Sequence, residues 1–326
     1  MGTGSSSAAS RDSTCSCPDH LATQSQRPGL MPARLLSQCL NLLYAPNMRF
    51  LFVLISVSIA VQPAVAESKL TIHQAFPRAH GLIGHVSIYL PDGYAKASDK
   101  HYPTLILLHG LGGSDHDWVS YGNIRQVLDQ AISKGVIEPL IAVIPNGDNG
   151  YWSDWPDGRI ERKFASLVLK DLISWVDKSF RCDGRRAIAG VSMGGFGALS
   201  LALQEPSLFQ AAGSLSGALF ESLPSNMKVY RRAFGTDRQA ALRFKKINPV
   251  DLIRAGRAKK LAIWLDCGRK DAAKFVFGLS MTAQALVNQG LQFQMRFRDG
   301  SHTWEVWRQA FGEMLPWLAK QLAAVR

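Results

Sequence analysis

The chain has 326 residues, of which 47% are hydrophobic and 19% charged, an ordinary globular composition that suffices for a sizeable core. The formal net charge is +12. No pattern of basic and aromatic residues in the sequence suggests nucleic acid as a partner.

Residues 1–47 are rich in Ser, Thr, Pro and Ala and show no sustained hydrophobic period, so they read as a low-complexity extension. Met48-Arg49 then opens an apolar run from Phe50 to Val61, followed by Gln62-Pro63 and Ala64-Val65-Ala66. A short positive start, about a dozen apolar residues and an Ala-x-Ala end describe a secretory signal peptide over 48–66. The run is shorter than the ~20 residues of a membrane span. A signal peptide normally begins a protein, so translation is expected to start at Met48 or Met31. Cleavage after Ala66 would leave 67–326 as one domain in a secreted or periplasmic protein.

Residues 82–90 alternate weakly and end at Pro91-Asp92-Gly93, an early strand and turn. Within it, His85 reads as structural. Thr104 to Leu108 is a continuous apolar run, as expected of a parallel strand buried on both faces. It ends in His109-Gly110-Leu111-Gly112-Gly113, and a helix is expected over 123–134. A second buried strand, 140–145, precedes a loop over 146–159 that contains Trp152, Asp154 and Trp155. These three follow a strand end and are expected to line the substrate mouth. A helix over 162–180 leads to the apolar run Ala187-Ile188-Ala189. Further strands are expected at 211–215, 261–265 and 291–297, with helices at 275–289 and 303–324. Strands alternating with helices predict an α/β fold with a mostly parallel sheet covered on both faces.

Residues 218–258 break this rhythm and read as a small helical insertion. The basic residues concentrate over 228–260, among them Lys228, Arg231, Arg232, Lys245 and Lys246. They read as a solvated helical face that also favours peripheral association with an anionic envelope or polysaccharide. Downstream of the signal only Cys182 and Cys267 remain. One precedes a strand and the other ends one, so they belong at opposite ends of the sheet, beyond bridging distance. No His/Cys group has zinc-ligand spacing in the sequence, and His-Glu-x-x-His is absent.

The chemistry centres on Gly190-Val191-Ser192-Met193-Gly194-Gly195. Strand, Gly-x-Ser-x-Gly, helix is the sequence form of a nucleophile elbow. Glycines flank Ser192 because a Cβ there would collide with the adjoining strand or helix. The Met193 N–H, in the first turn of the helix, is aimed at the reacting oxygen. A serine hydroxyl needs a base, and the base needs a carboxylate. His302 is the only histidine after Ser192 and follows the last strand. The carboxylate should come from Asp266-Cys267-Gly268-Arg269-Lys270-Asp271. Asp271, beyond the glycine turn, is preferred to Asp266, which ends the strand. The order is then Ser192, Asp271, His302. The loop His109–Gly113 is in place to supply a second oxyanion donor, assigned to the Leu111 N–H. Trp304 and Trp307, at helical spacing past His302, read as packing that buttresses the base. No metal or organic cofactor is expected.

These motifs, with Gly300-Ser301-His302-Thr303-Trp304-Glu305-Val306-Trp307, resemble the esterase D and trehalose mycolyltransferase-like branch of α/β-hydrolases. The resemblance covers roughly residues 85–320. It implies a secreted carboxylesterase acting on acyl, feruloyl or acetyl esters, small or polysaccharide-linked. Its triad would be Ser192, Asp271 and His302, with Leu111 and Met193 as oxyanion donors. Two departures narrow the branch. The glutathione-ester hydrolases carry His where this chain has Phe196, and the mycolyltransferases use Glu where it offers Asp271. Acyl transfer to an alcohol, thioester hydrolysis and envelope binding without catalysis are the competing expectations.

Overall fold

The computed structural model describes residues 67–97 and 99–323. The extension and signal segment expected over 1–66 lie outside the described residues. In chain order the elements are β1 (Lys69–Pro77), β2 (Ile83–Leu90), β3 (Tyr102–Leu108), α1 (Asp117–Ser120), α2 (Ile124–Ser133) and β4 (Ile141–Pro145). Then come α3 (Phe164–Ser166), a π-helical segment (Leu167–Leu172), α4 (Ile173–Ser179), β5 (Cys182–Val191), α5 (Met193–Gln204) and β6 (Ala211–Leu215). The last are α6 (Lys228–Phe234), α7 (Ala240–Ile247), α8 (Pro249–Arg254), β7 (Ala262–Gly268), α9 (Ala273–Asn288), β8 (Gln294–Arg298) and α10 (Trp304–Ala323).

The strands form one sheet in the order β1-β2-β4-β3-β5-β6-β7-β8. Pairing is antiparallel for β1/β2 and β2/β4 and parallel from β4 to β8. The parallel strands therefore end on one side, and that side is where an open α/β sheet presents its reactive residues. The period-2 alternation of a strand splits each apolar run between two cores. Ile106, Leu108 and Ile188 face the layer containing α4 and α5, whereas Leu105, Leu107 and Ala189 face α2 and α10. α5 is buried along almost its whole length, which is why its sequence is apolar on every side. Among the described residues no helix is long and apolar enough to cross a membrane.

Two expectations need correction. The strand β1 precedes the first one expected. It is an edge strand whose Phe76 alone is buried, and a register shift between Thr71 and Gln74 breaks its alternation. The helix expected over 162–180 is three joined pieces with a π-helical centre. The 218–258 region does carry helices and no strand, and its Lys228, Arg231, Arg232, Lys245 and Lys246 are exposed while Tyr230, Phe234, Phe244 and Ile253 are buried. Cys182, at the start of β5, and Cys267, in β7, are free thiols.

His109, at the end of β3, is buried and ties two loops together. Its Nε2 accepts the Gly147 N–H at 3.0 Å, so Nδ1 carries the proton and donates to the Gly110 carbonyl at 2.8 Å. Burial is the strongest influence on this imidazole and pulls its pKa below the ordinary 6.5, against a smaller upward pull from that carbonyl. The unfolded chain therefore takes up a proton, as pH falls through 6.5, that the folded chain refuses. Stability at this residue is full above about pH 6.5 and falls below it, by up to about 1.4 kcal/mol per pH unit. Urea unfolding between pH 7 and 5 should show a shallower loss for His109→Asn than for the native chain. Equal slopes would contradict a neutral buried imidazole.

Candidate active site

The carboxyl end of β5 meets the start of α5 at Ser192, whose backbone lies at φ 55°, ψ −116°. That conformation costs an ordinary residue about 1–3 kcal/mol and persists only where the surroundings enforce it. Here the enforcement is steric. A Cβ on Gly190 would come within 2.3 Å of the Gly194 carbonyl oxygen, and one on Gly194 within 2.2 Å of the Leu108 carbonyl oxygen. The helix start is thus pressed against both β5 and β3. The Ser192 N–H donates to the Leu215 carbonyl (2.9 Å), and the Ser192 carbonyl accepts from Ala218 N–H (3.0 Å).

Three side chains from three strand ends converge. His302 Nε2 lies 2.8 Å from Ser192 Oγ, and His302 Nδ1 lies 3.0 Å from both oxygens of Asp271. The Asp271 side chain is wholly buried, whereas the imidazole remains 30% exposed, open to a substrate. Burial pushes the Asp271 carboxyl up most strongly. The His302 hydrogen bond, the neighbouring Ser216 hydroxyl and the Ala272 N–H together outweigh burial and hold it below the ordinary carboxylate value. An ionised Asp271 fixes the proton of His302 on Nδ1 and leaves Nε2 facing the serine as a base.

The loops carrying Asp271 and His302 are built as one unit. A Cβ on Gly268 would lie 2.4 Å from the Gly300 carbonyl oxygen, so the two turns touch through backbone. Arg269 N–H donates to Arg298 O (2.7 Å) and Lys270 N–H to Gly300 O (2.9 Å). The imidazole is stacked on Phe275 (centroids 4.3 Å apart) and meets Trp307 nearly at right angles (4.7 Å). Trp304 packs edge-on against Trp307 and Trp118. Phe275 was not singled out from sequence. It is one of several apolar residues opening α9, and only its closeness to His302 marks it.

Asp266, the other carboxylate considered, faces away. Arg298 donates Nε to its Oδ1 at 2.8 Å and Nη2 to its Oδ2 at 2.6 Å, and also grips Glu313. Those hydrogen bonds, Asp266 first, raise the already high Arg298 pKa further. Asp266 is therefore a buried structural ion-pair partner.

The amides expected to bind an oxyanion are also at the strand ends. The first N–H groups of a helix have no intrahelical acceptor, and Met193 stands at that position in α5. In the β3 loop the Gly112 N–H is taken by Asn149 Oδ1 (2.7 Å) and the Gly113 N–H by Gly110 O (3.2 Å). Among the described residues neither the Leu111 nor the Met193 N–H donates to a protein acceptor. A Cβ on Gly110 would sit 3.5 Å from the Ser192 Cβ, which puts this loop directly against the elbow.

The aromatic loop is placed differently from expectation. Trp152 is fully buried, donates Nε1 to the His109 carbonyl (3.4 Å) and lies where a Cβ on Gly147 or Gly197 would strike its ring. It supports the β3 loop from below and cannot line a mouth. Asp154 spends its carboxylate on Ser166, accepting from the N–H at 3.0 Å and the hydroxyl at 2.7 Å, which secures the start of the α3–α4 helix. Trp155 is largely buried but borders a cavity of about 460 Å³ that also touches Asn149, Arg162 and Arg232. Of the three, Asp154 is exposed, and only Trp155 lines this cavity.

A family model described as "Putative esterase" matches residues 83–318. An endo-1,4-beta-xylanase/feruloyl esterase of Xylanibacter ruminicola is 26% identical over 251 residues, which is 74% of this chain and 30% of that protein. This chain thus spans under a third of that relative's length. An acetyl esterase of Caldicellulosiruptor saccharolyticus is 26% identical over 236 residues, covering 68% of this chain and 85% of the relative. Among solved structures, a ferulic acid esterase aligns with a TM-score of 0.68 and 25% identity over 78% of this chain and 99% of its own. The matched stretch contains every loop of the site just described, and the chain belongs to this esterase family and has the α/β-hydrolase fold.

Proposed function

We propose that the protein is an exported serine carboxylesterase that cleaves acetyl- or feruloyl-type esters through an acyl-enzyme. The reading rests above all on the unbroken hydrogen-bond chain from Ser192 Oγ through His302 to Asp271, at 2.8 and 3.0 Å. His302 Nε2 takes the Ser192 proton as Oγ attacks the ester carbonyl carbon. The carbonyl oxygen becomes an oxyanion, held by the Leu111 and Met193 N–H groups, each such donor being worth about 2.7–4 kcal/mol. Collapse breaks the bond to the alcohol oxygen, which receives the proton from His302. Water then repeats the sequence, giving its proton to His302 and releasing the acid from Ser192. Asp271 accepts the Nδ1–H throughout and stabilises the imidazolium.

The acetyl and feruloyl classes are suggested by the names of the xylanase-linked and acetyl esterase relatives. The exposed basic face over 228–260 would hold the enzyme near an anionic envelope or polysaccharide. Export would depend on the segment 48–66. Mass spectrometry of the protein recovered from outside the cytoplasm should find Glu67 as its first residue. An intact Met48 would contradict cleavage.

Steady-state hydrolysis of p-nitrophenyl acetate and methyl ferulate tests the catalytic assignment. Ser192→Ala should lower kcat by about 10⁴-fold or more, and Asp271→Asn by about 10³–10⁴-fold, in proteins as stable as the parent. Asp266→Ala should do the converse. It should keep kcat within a few-fold but lose about 3 kcal/mol in urea, since it strips a buried guanidinium of its best partner. Full activity in Ser192→Ala would overturn the reading, and acyl groups recovered on an added sugar instead of as free acid would turn it toward a transferase.

A further inference from the structure

Away from the elbow, three side chains from two distant segments meet at the surface: His73 in β1, and Asp115 and His116 in the loop between β3 and α1. We propose that they form a binding site for a Zn²⁺-class transition-metal dication that clamps β1 to this loop. One ligand atom from each residue lies within 4.8 Å of the other two. Donors about 2.0–2.1 Å from a tetrahedral zinc stand about 3.3 Å apart. His73 Nδ1 and Asp115 Oδ1 are already 3.0 Å apart, so the metal takes the place of the proton shared between them with little movement.

Several features prepare these donors. Asp115 is fully buried, yet among the described residues its hydrogen-bond partners are a histidine and a hydroxyl, with no lysine or arginine paired to it. A buried carboxylate facing two exposed imidazoles supplies the charge a dication needs. Ser87 Oγ donates to the second oxygen, Oδ2, at 2.9 Å and accepts the His73 N–H at 3.1 Å, leaving Oδ1 turned toward the histidines. Such outer hydrogen bonds orient metal ligands. His73 itself sits in the β1 bulge with φ 53°, a left-handed backbone that is costly for histidine and that aims its ring back over the sheet edge. Its ring is stacked on His85 at 4.0 Å and lies 5.3 Å from the His116 ring. Two nitrogens and one oxygen suit zinc and its neighbours, while an all-oxygen preference disfavours Mg²⁺. Exposure of both histidines leaves the remaining coordination positions to water.

The loop joined to β1 in this way is the one that contains Leu111, so the metal would act as a staple on the oxyanion side of the site and take no part in bond breaking. The ligands are 42 residues apart in sequence, which is why no spacing motif revealed them.

Untagged full chain, stripped with EDTA and dialysed, should be titrated with ZnCl₂ by calorimetry, with MgCl₂ in parallel. The expected result is one zinc per chain. At a hundredfold excess over Kd the Tm should rise by about 5 °C, and magnesium should give neither heat nor shift. His116→Ala, at an exposed position, and His73→Asn, which tolerates the left-handed backbone, should each weaken zinc binding at least tenfold. Absence of zinc binding, equal binding of magnesium, or zinc affinity unchanged in both variants would overturn the proposal.

Discussion

The structure depends on one close approach: the first turn of α5 packed without side chains against the ends of β5 and β3. Gly190 and Gly194 make it possible because the backbone atoms around them occupy the space of any Cβ. The approach has two consequences at once. It forces Ser192 into a conformation that lifts its hydroxyl out of the sheet. It also brings the free N–H groups of a helix start beside the loop that follows β3. The Ser192 hydroxyl and the helix-start N–H groups are therefore set by the same contact, and neither can shift without the other.

Around this fixed point the remaining groups are held by backbone contacts more than by long side chains. The Gly268–Gly300 contact makes the Asp271 and His302 turns a single unit, and Phe275 and Trp307 confine the imidazole to one plane. On the other side, His109 and Trp152 lie beneath the β3 loop, and Asn149 caps the Gly112 amide. Precise placement of this kind is where orientation contributes to catalysis, since a reacting group held in line need not be ordered at each turnover. The buried Asp266–Arg298 pair, with the exposed Glu313 at its rim, serves the sheet edge instead.

Much of this was legible in the sequence because the physics involved is local. Gly-x-Ser-x-Gly between a strand and a helix announces a steric requirement that only one backbone geometry meets. The parallel strands were readable as unbroken apolar runs, and the lone downstream histidine left His302 as the base expected from position alone. Asp271 was preferred to Asp266 because a turn residue can reach over a sheet edge and a strand-end residue cannot, and the two carboxylates do face different partners. What escaped were properties of three-dimensional neighbours. Trp152 looked like a mouth residue because loops after strands face the site, yet glycines at 147 and 197 open a slot that buries its ring. β1 was missed because an edge strand with a bulge lacks alternation. Phe275, Asn149 and the His73–Asp115–His116 group act only through contacts between distant segments.

The central claim is that Ser192 is an activated nucleophile. Intact-mass and peptide mass spectrometry after brief treatment with a fluorophosphonate tests it most directly, because the reagent bonds only to a serine whose proton has a base to go to. The account predicts one adduct per chain, on the peptide containing Ser192, formed far more slowly in His302→Ala. A folded chain that remains unlabelled, or is labelled at another residue, would contradict it.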